Sequence, residues 1–338
     1  VVTTLLPADI EGLVARALEK CGTSPGNAAS TAAALVAAEM DGQLGHGLSR
    51  VPSYAAQVAA GKVAGHAQPK ATRTRTAVFR IDAKDGFAYP ALDLAIASLS
   101  QAVPETGIAA AGIFRSHHIG QAGRTVERLA DLGLVALVVS NTPQAMALQG
   151  GKRQMLGTNP LAFAAPIRGR PALVIDLSLS LVARSKIIAA EKAGREIPND
   201  WATDADGAPT SDPAAALRGA LLPAGGAKGA ALALMVEILC AALAGGHYGW
   251  EASSFLDDRG APPGVGQLII ALDPQAFSGE LYPSRMEDLL SAVAAEQGVR
   301  LPGDRRLIAR EAARTRGLAV APELHAQIVR LAEVGVGR

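Results

Sequence analysis

The chain has little of several features that would mark a function at once. Aromatic side chains make up only 4% of its 338 residues, so stacking platforms for nucleic-acid bases are not expected. Neither sign of charge dominates: 32 Lys and Arg stand against 31 Asp and Glu, for a formal net charge of +1. That balance leaves no electrostatic footprint for nucleic acid or for an anionic membrane. There are two cysteines, Cys21 and Cys240. Both fall in apolar helical patterns and read as small buried hydrophobes. No Cys-x-x-Cys or Cys/His spacing points to zinc, and no metal is expected.

Long hydrophobic runs are also missing. The longest apolar stretch, around Ala230 to Ala244, is interrupted by Glu237 and falls short of the ~20 residues a spanning helix needs. Val1 to Asp9 lacks a basic start and a long apolar segment, so a signal peptide is not expected and a cytoplasmic, water-soluble protein is. No Gly-x-Gly-x-x-Gly occurs, so any dinucleotide would bind without the usual Rossmann fingerprint. A Gly-x-Ser-x-Gly string spans Gly22 to Gly26, but it lies between two helical patterns. A nucleophile elbow needs a strand before it, so Ser24-Pro25 reads instead as a helix cap and first-turn proline.

What is present is a large apolar fraction, 49%, enough for a sizeable core in about two domains. Asp9 to Cys21 and Asn27 to Met40 carry helical periodicity, and a third helix starts near Leu48. Strands are expected at Ala77–Asp82, Gly107–Phe114, Leu134–Val139, Leu161–Pro166, Ala172–Leu177 and Gly266–Leu272. Helices are expected at Tyr89–Val103, Gly120–Leu132 and Ala227–Ala244, and again from Arg285 onward. Helices open and close the chain around alternating β and α units, which predicts an α/β fold with a helical module built from the termini. The boundaries read as 1–75 for an N-terminal helical region, 76–280 for an α/β domain, and 281–338 for a C-terminal helical region. A polar loop at 194–213 has the length of a lid or of an ordinary connection.

Three segments can carry chemistry. In Gly45-His46-Gly47-Leu48-Ser49-Arg50 the imidazole has an approachable backbone and an ordinary pKa suited to proton transfer. Arg50, four residues on, is shaped to grip a carboxylate in two places. The same pattern also suits a turn histidine and a helix-start arginine with a surface partner. Ser116-His117-His118-Ile119-Gly120-Gln121 joins a strand to a helix start, where anions and cofactors bind. Adjacent extended side chains point opposite ways, so at most one of its histidines can face a small ligand. Gly225-Gly226-Ala227-Lys228-Gly229 before the long apolar helix suits a phosphate, or simply a turn.

In combination these segments resemble one family over nearly the whole chain. Asp41-Gly42 through His46-Gly47-Leu48-Ser49-Arg50 to Tyr54, Ser116 to Gly120, Ser140-Asn141-Thr142-Pro143, Gly157-Thr158-Asn159-Pro160, Asp176 to Ser180, Leu222 to Gly229 and Leu301-Pro302-Gly303-Asp304-Arg305 follow its order. That family is the malate/L-lactate dehydrogenase type-2 superfamily. Within it, Asp176 to Ser180, Gly225 to Ala231 and Asp85 to Ala91 look most like the delta-1-piperideine-2-carboxylate and delta-1-pyrroline-2-carboxylate reductases. The resemblance implies a non-Rossmann nucleotide-binding α/β domain, NADPH or NADH as cofactor, a homodimer, and reduction of a cyclic 2-imino acid. The alternative it leaves is a 2-oxo or 2-hydroxy acid dehydrogenase, with a non-catalytic nucleotide-binding scaffold as the rival of another class.

Residue by residue, the resemblance implies His46 as proton donor with Asp176 orienting it, and Arg50, Tyr54 and Thr158 at the substrate. Around the cofactor it implies His118, Ile119, Gly120, Gln121, Ser140, Asp176, Leu177, Ser178, Arg184, Lys228, Pro302, Gly303, Asp304, Arg305 and Arg306. One position departs: many members carry Ser-His-Gly, and here Gly45 precedes the histidine. A hydroxyl at that place is missing.

Overall fold

The structure, a computed structural model, describes residues 3–337. Val1, Val2 and Arg338 lie outside the described residues, the first two within the stretch read above as lacking a leader.

The elements run in the order β1 (Thr3–Leu5), α1 (Pro7–Lys20), α2 (Pro25–Met40), α3 (Val51–Ala59), β2 (Lys70–Arg75), β3 (Val78–Asp82), α4 (Ala88–Thr106), β4 (Ile108–Ser116), α5 (Ala122–Ala130) and β5 (Val135–Ser140). Then come β6 (Leu161–Ile167), β7 (Arg170–Leu177), α6 (Arg184–Lys192), α7 (Pro213–Arg218), α8 (Ala227–Glu237), β8 (Val265–Leu272), α9 (Pro274–Ser278), α10 (Leu281–Ala295), α11 (Asp304–Arg316), β9 (Leu318–Val320) and α12 (Pro322–Val334). No helix among the described residues is long and apolar enough to cross a membrane.

Seven strands form one sheet in the order β2-β3-β4-β8-β5-β6-β7. Only β3 and β4 run parallel; every other neighbouring pair is antiparallel. The apolar run of β5 fits this setting because β6 and β8 flank it and both its faces are covered. Ala136 and Val138 point into the larger core, while Val139 points into the smaller one on the opposite face. The larger core is filled by α4 and α5 and by the terminal helices, with Ile10, Leu18, Leu35 and Ile328 fully buried. The chain ends meet there: β1 pairs with β9, and α1 packs against α12.

Most elements lie where periodicity predicts them, with different details at their ends. Pro25 does start α2, but the Ser24 hydroxyl caps nothing. The helix expected from Gly120 begins at Ala122, because Gly120 has φ +71° and Gln121 is extended. The apolar helix from Ala227 widens into a π-helical turn, Ile238–Leu243. Strand β2 and helices α6 and α7 were not anticipated.

Candidate active site

The first side of the site is made by the end of α2 and two short 3₁₀ turns, Leu44–His46 and Leu48–Arg50. Glu39, in the last turn of α2, accepts the Leu48 N–H at 2.9 Å. That bond crosses directly over Gly47, where any Cβ would overlap the Glu39 carboxylate. Glycine at 47 is therefore required by close approach rather than by flexibility. The resulting turn projects the half-buried His46 ring across the gap to the loop after β4.

There His46 meets His118. Nδ1 of His46 lies 3.2 Å from Nε2 of His118, and the rings stack with centroids 5.1 Å apart. Nδ1 of His118 in turn lies 2.7 Å from the Tyr54 hydroxyl, which is 3.3 Å from the Tyr89 hydroxyl. Phe87 packs on Tyr54 and Phe255 on His118. The neighbouring His117 turns away and meets Gln57 Oε1 through Nε2 at 2.7 Å. Phe255 is held in place by Lys62, whose buried ammonium donates to the carbonyls of Ser254, Asp257 and Arg259. Gln57 Nε2 adds a bond to the Phe255 carbonyl.

Arg50 bends back so that Nε donates to the Gly45 carbonyl at 2.6 Å. Burial, with the Arg50 charge as second cause, pushes the His46 imidazole down to about 4. Burial, then Lys62 and Arg50, takes His117 down to about 3. His118 is driven well below the ordinary histidine value by burial first and then by Arg50 and the two other histidines. The cluster's imidazoles are thus uncharged at neutral pH, with the Arg50 and Lys62 charges beside them.

Asp176 does not orient His46. It stands at the end of β7 with Oδ2 accepting the Gly123 N–H at 2.8 Å. The residue is exposed overall, but its carboxylate is turned inward, and desolvation raises its pKa against the Gly123 hydrogen bond and the Arg306 charge. His118 takes the place beside His46 that Asp176 was expected to fill.

Two further expectations change. Tyr54 is fully buried behind His118, so its hydroxyl serves the histidine and not an open substrate surface. Arg306, expected at the cofactor, is 7% exposed and engages Glu127 at 2.6 Å and Asp41 at 3.5 Å. Arg310 binds the same two carboxylates, and Gln121 Nε2 also donates to Asp41. This buried network ties α11 to the end of α2 and to α5. Neither Glu127 nor Arg310 stood out in the sequence.

A third group joins the connection between β5 and β6 to the residue that follows β7. The Thr158 N–H donates to Thr142 Oγ1 at 2.9 Å, and the Thr158 carbonyl accepts from Ser178 Oγ. Beneath it, Glu237 accepts from Asn141 and Asn159.

Residues 6–329 match the malate/L-lactate dehydrogenase family. The chain belongs to the malate/L-lactate dehydrogenase family. A (2R)-3-sulfolactate dehydrogenase (NADP(+)) of Chromohalobacter salexigens is 50% identical over 298 residues, covering 88% of this chain and 89% of the relative. A delta(1)-pyrroline-2-carboxylate/delta(1)-piperideine-2-carboxylate reductase of Pseudomonas putida is 39% identical over 313 residues, 92% of each chain. The crystal structure of delta1-piperideine-2-carboxylate reductase from Pseudomonas syringae pvar. tomato superimposes with a TM-score of 0.92 at 36% identity, covering 97% of this chain and 99% of that one.

In this malate/L-lactate dehydrogenase family oxidoreductase the remaining expected residues make no hydrogen bond to the His46–His118 pair. Ser140 is buried at the end of β5 and donates to the Asn141 carbonyl. Arg184 begins α6 and donates to the Leu217 carbonyl. Lys228, near the start of α8, is exposed, as are Leu177 and Arg305. Gly303 adopts φ +92° at the turn into α11, and Asp304 accepts the Leu301 N–H at 3.1 Å. Sequence reasoning missed Glu39, Tyr89, Phe255 and Lys62. Glu237 did leave a signal, as the one charge in the apolar stretch Ala230 to Ala244, and it is buried.

Proposed function

We propose that this enzyme uses NADP(H) to reduce C2 of a small 2-oxo or cyclic 2-imino carboxylic acid, with His46 as the proton donor. The observation that carries the reading is the His46–His118 pair beside Arg50: a proton-transfer group next to a cation shaped to hold a carboxylate. Arg50 orients the substrate carboxylate, so that the atom attached to C2 faces the imidazole. The residues present also fit a dinucleotide. Arg305 and Lys228 are exposed cations at the starts of helices α11 and α8, where anions are favoured. When bound, the nicotinamide supplies the hydride.

Of the two substrate classes, the 2-oxo acids come first. The 50%-identical relative is named for a 2-hydroxy acid, and Gly45 departs from the Ser-His-Gly pattern. The cyclic 2-imino acids are supported by the motif resemblance and by the reductases at 39% identity. A panel of 3-sulfopyruvate, pyruvate, oxaloacetate and the two cyclic ketimines, each with NADPH and NADH, tests the proposal. Turnover of a 2-oxo acid with NADPH above the ketimines is expected. Cofactor binding without turnover of any of the five would overturn the enzymatic reading.

A homodimer is part of the same reading. Leu232, Leu234, Met235, Ile238 and Leu243, on α8 and its π-helical continuation, are exposed apolar side chains on consecutive turns and support self-association.

A further inference from the structure

A neutral imidazole that gives up its only N–H becomes an anion, which no protein site of this kind sustains. A charged imidazolium here would have to form half-buried beside Arg50. A neutral donor escapes both difficulties if its second nitrogen receives a proton as the first one releases one.

The structure supplies that second proton. We propose that His118, Tyr54 and Tyr89 form a proton relay joining Nδ1 of His46 to a solvent cavity between α2, α4 and α5. The steps measure 3.2 Å from His46 to His118, 2.7 Å from His118 to Tyr54, and 3.3 Å from Tyr54 to Tyr89. His118, Tyr54 and Tyr89 are 5%, 0% and 6% exposed, so the path is closed to water between its ends. Phe87 and Phe255 line its sides. At the far end Tyr89 borders a cavity of about 290 Å³, with Ser30, Asp93, Gln121, Arg124 and Arg128 among its polar walls. The exposed Ala33 on its rim opens it to solvent. His117 is buried alongside but engages Gln57, and so stands outside the path. Gly120 is part of the design: a Cβ there would lie 2.5 Å from the Tyr89 hydroxyl and displace it.

The proposal rests on the reading of the enzyme as a reductase. As hydride reaches C2, the Nε2 proton of His46 passes to the substrate oxygen or nitrogen. Nδ1 of His46 takes the Nε2 proton of His118, whose Nδ1 takes the Tyr54 hydroxyl proton. Tyr54 takes that of Tyr89, and Tyr89 takes one from cavity water. The hydroxide left there is neutralised when the relay resets. After product release, Nε2 of His46 gains a proton from water in the emptied site and the relay protons step back. One hydride and one proton are consumed, and His46 is uncharged throughout. The depressed histidines and the raised tyrosines are in the protonation states this requires at neutral pH. Tyr54 and Tyr89 are positioning residues, since they hold and pass protons for His46 and touch no reacting atom.

The test is a proton inventory on full-length enzyme, by single-turnover hydride transfer in H₂O/D₂O mixtures with NADPH and the best substrate of the panel. The wild type should give a bowl-shaped plot, the mark of several protons in flight. Tyr89→Phe should give a linear plot and a rate lower by about tenfold or more, with unchanged substrate KM and NADPH affinity. Tyr54→Phe, which cuts the path one step earlier, should do the same and serves if Tyr89→Phe fails to fold. A wild-type rate with unchanged curvature in either folded variant overturns the relay, as does a linear wild-type plot. Absence of wild-type turnover overturns the functional reading instead.

Discussion

Nδ1 of His46 and Nε2 of His118 lie 3.2 Å apart, although 72 residues separate them in the chain. One nitrogen of that pair must carry the hydrogen and the other must accept it, so both rings are locked in orientation without help from a carboxylate. Burial and the Arg50 charge bring His46 down to about 4, so it does not titrate between pH 6 and 8. In the reducing direction kcat/KM should therefore be flat across that range, when measured with saturating cofactor. A fall with a midpoint near 6.5 would show that His46 acts as an ordinary exposed imidazolium.

The Asp41–Arg310–Glu127–Arg306 network makes a stability prediction. Burial alone would raise the Glu127 carboxyl, but the Arg310 hydrogen bond and the Arg306 and Arg310 charges hold it down to about 2. Its folded pKa is below its unfolded one, near 4.5, so its stabilisation is present above pH 4.5 and is lost as pH falls toward 2. His117 acts in the same direction from a higher pH. The unfolded chain protonates it near 6.5, and the folded one refuses the proton until about 3. Tm should start to fall below pH 6.5 and fall faster below 4.5. In Glu127→Gln the second phase should weaken, and the orphaned arginines should cost about 3 kcal/mol at pH 7. An unchanged Tm for that variant would contradict the network.

Neighbouring arginines should separate cleanly. Arg305 is exposed and Arg306 is buried between carboxylates. Arg305→Ala should weaken NADPH about tenfold more than NADH and leave Tm unchanged, whereas Arg306→Ala should lower Tm. Isothermal titration with both cofactors, alongside thermal melts, distinguishes this from a cofactor role for Arg306.

Gly45 offers a specificity test. A Cβ there would meet only Ser185 Oγ, at 4.0 Å, so Gly45→Ser should fold with an unchanged Tm. It restores the Ser-His-Gly pattern, and the ratio of kcat/KM for cyclic imino acids over 2-oxo acids should rise about tenfold. A stable variant with an unaltered ratio would remove position 45 from substrate choice.

Local pattern carried far in this chain. The periodicity of α1 and α2 and the apolar run of β5 were legible because neighbouring residues decide them. The sheet order was not, because β8 enters antiparallel between β4 and β5 from far along the chain. Nor were α6 and α7, short helices on either side of the polar loop at 194–213, with α6 burying only Ile187 and Ala190. The His46 and His118 motifs were each visible, but their contact was not. A resemblance assigned His46 a carboxylate partner, and only the turn around Gly47 and the loop after β4 bring a second imidazole to it. Arg306 looked like a free cation because Glu127 and Asp41, its counter-charges, come from distant helices.

The central claim is that His46 delivers the proton, and His46→Ala with full kinetics on the best substrate of the panel tests it most directly. The expected result is a loss of kcat of at least about a hundredfold, with NADPH affinity within about twofold of wild type. Turnover close to wild type by a correctly folded His46→Ala enzyme would contradict the account.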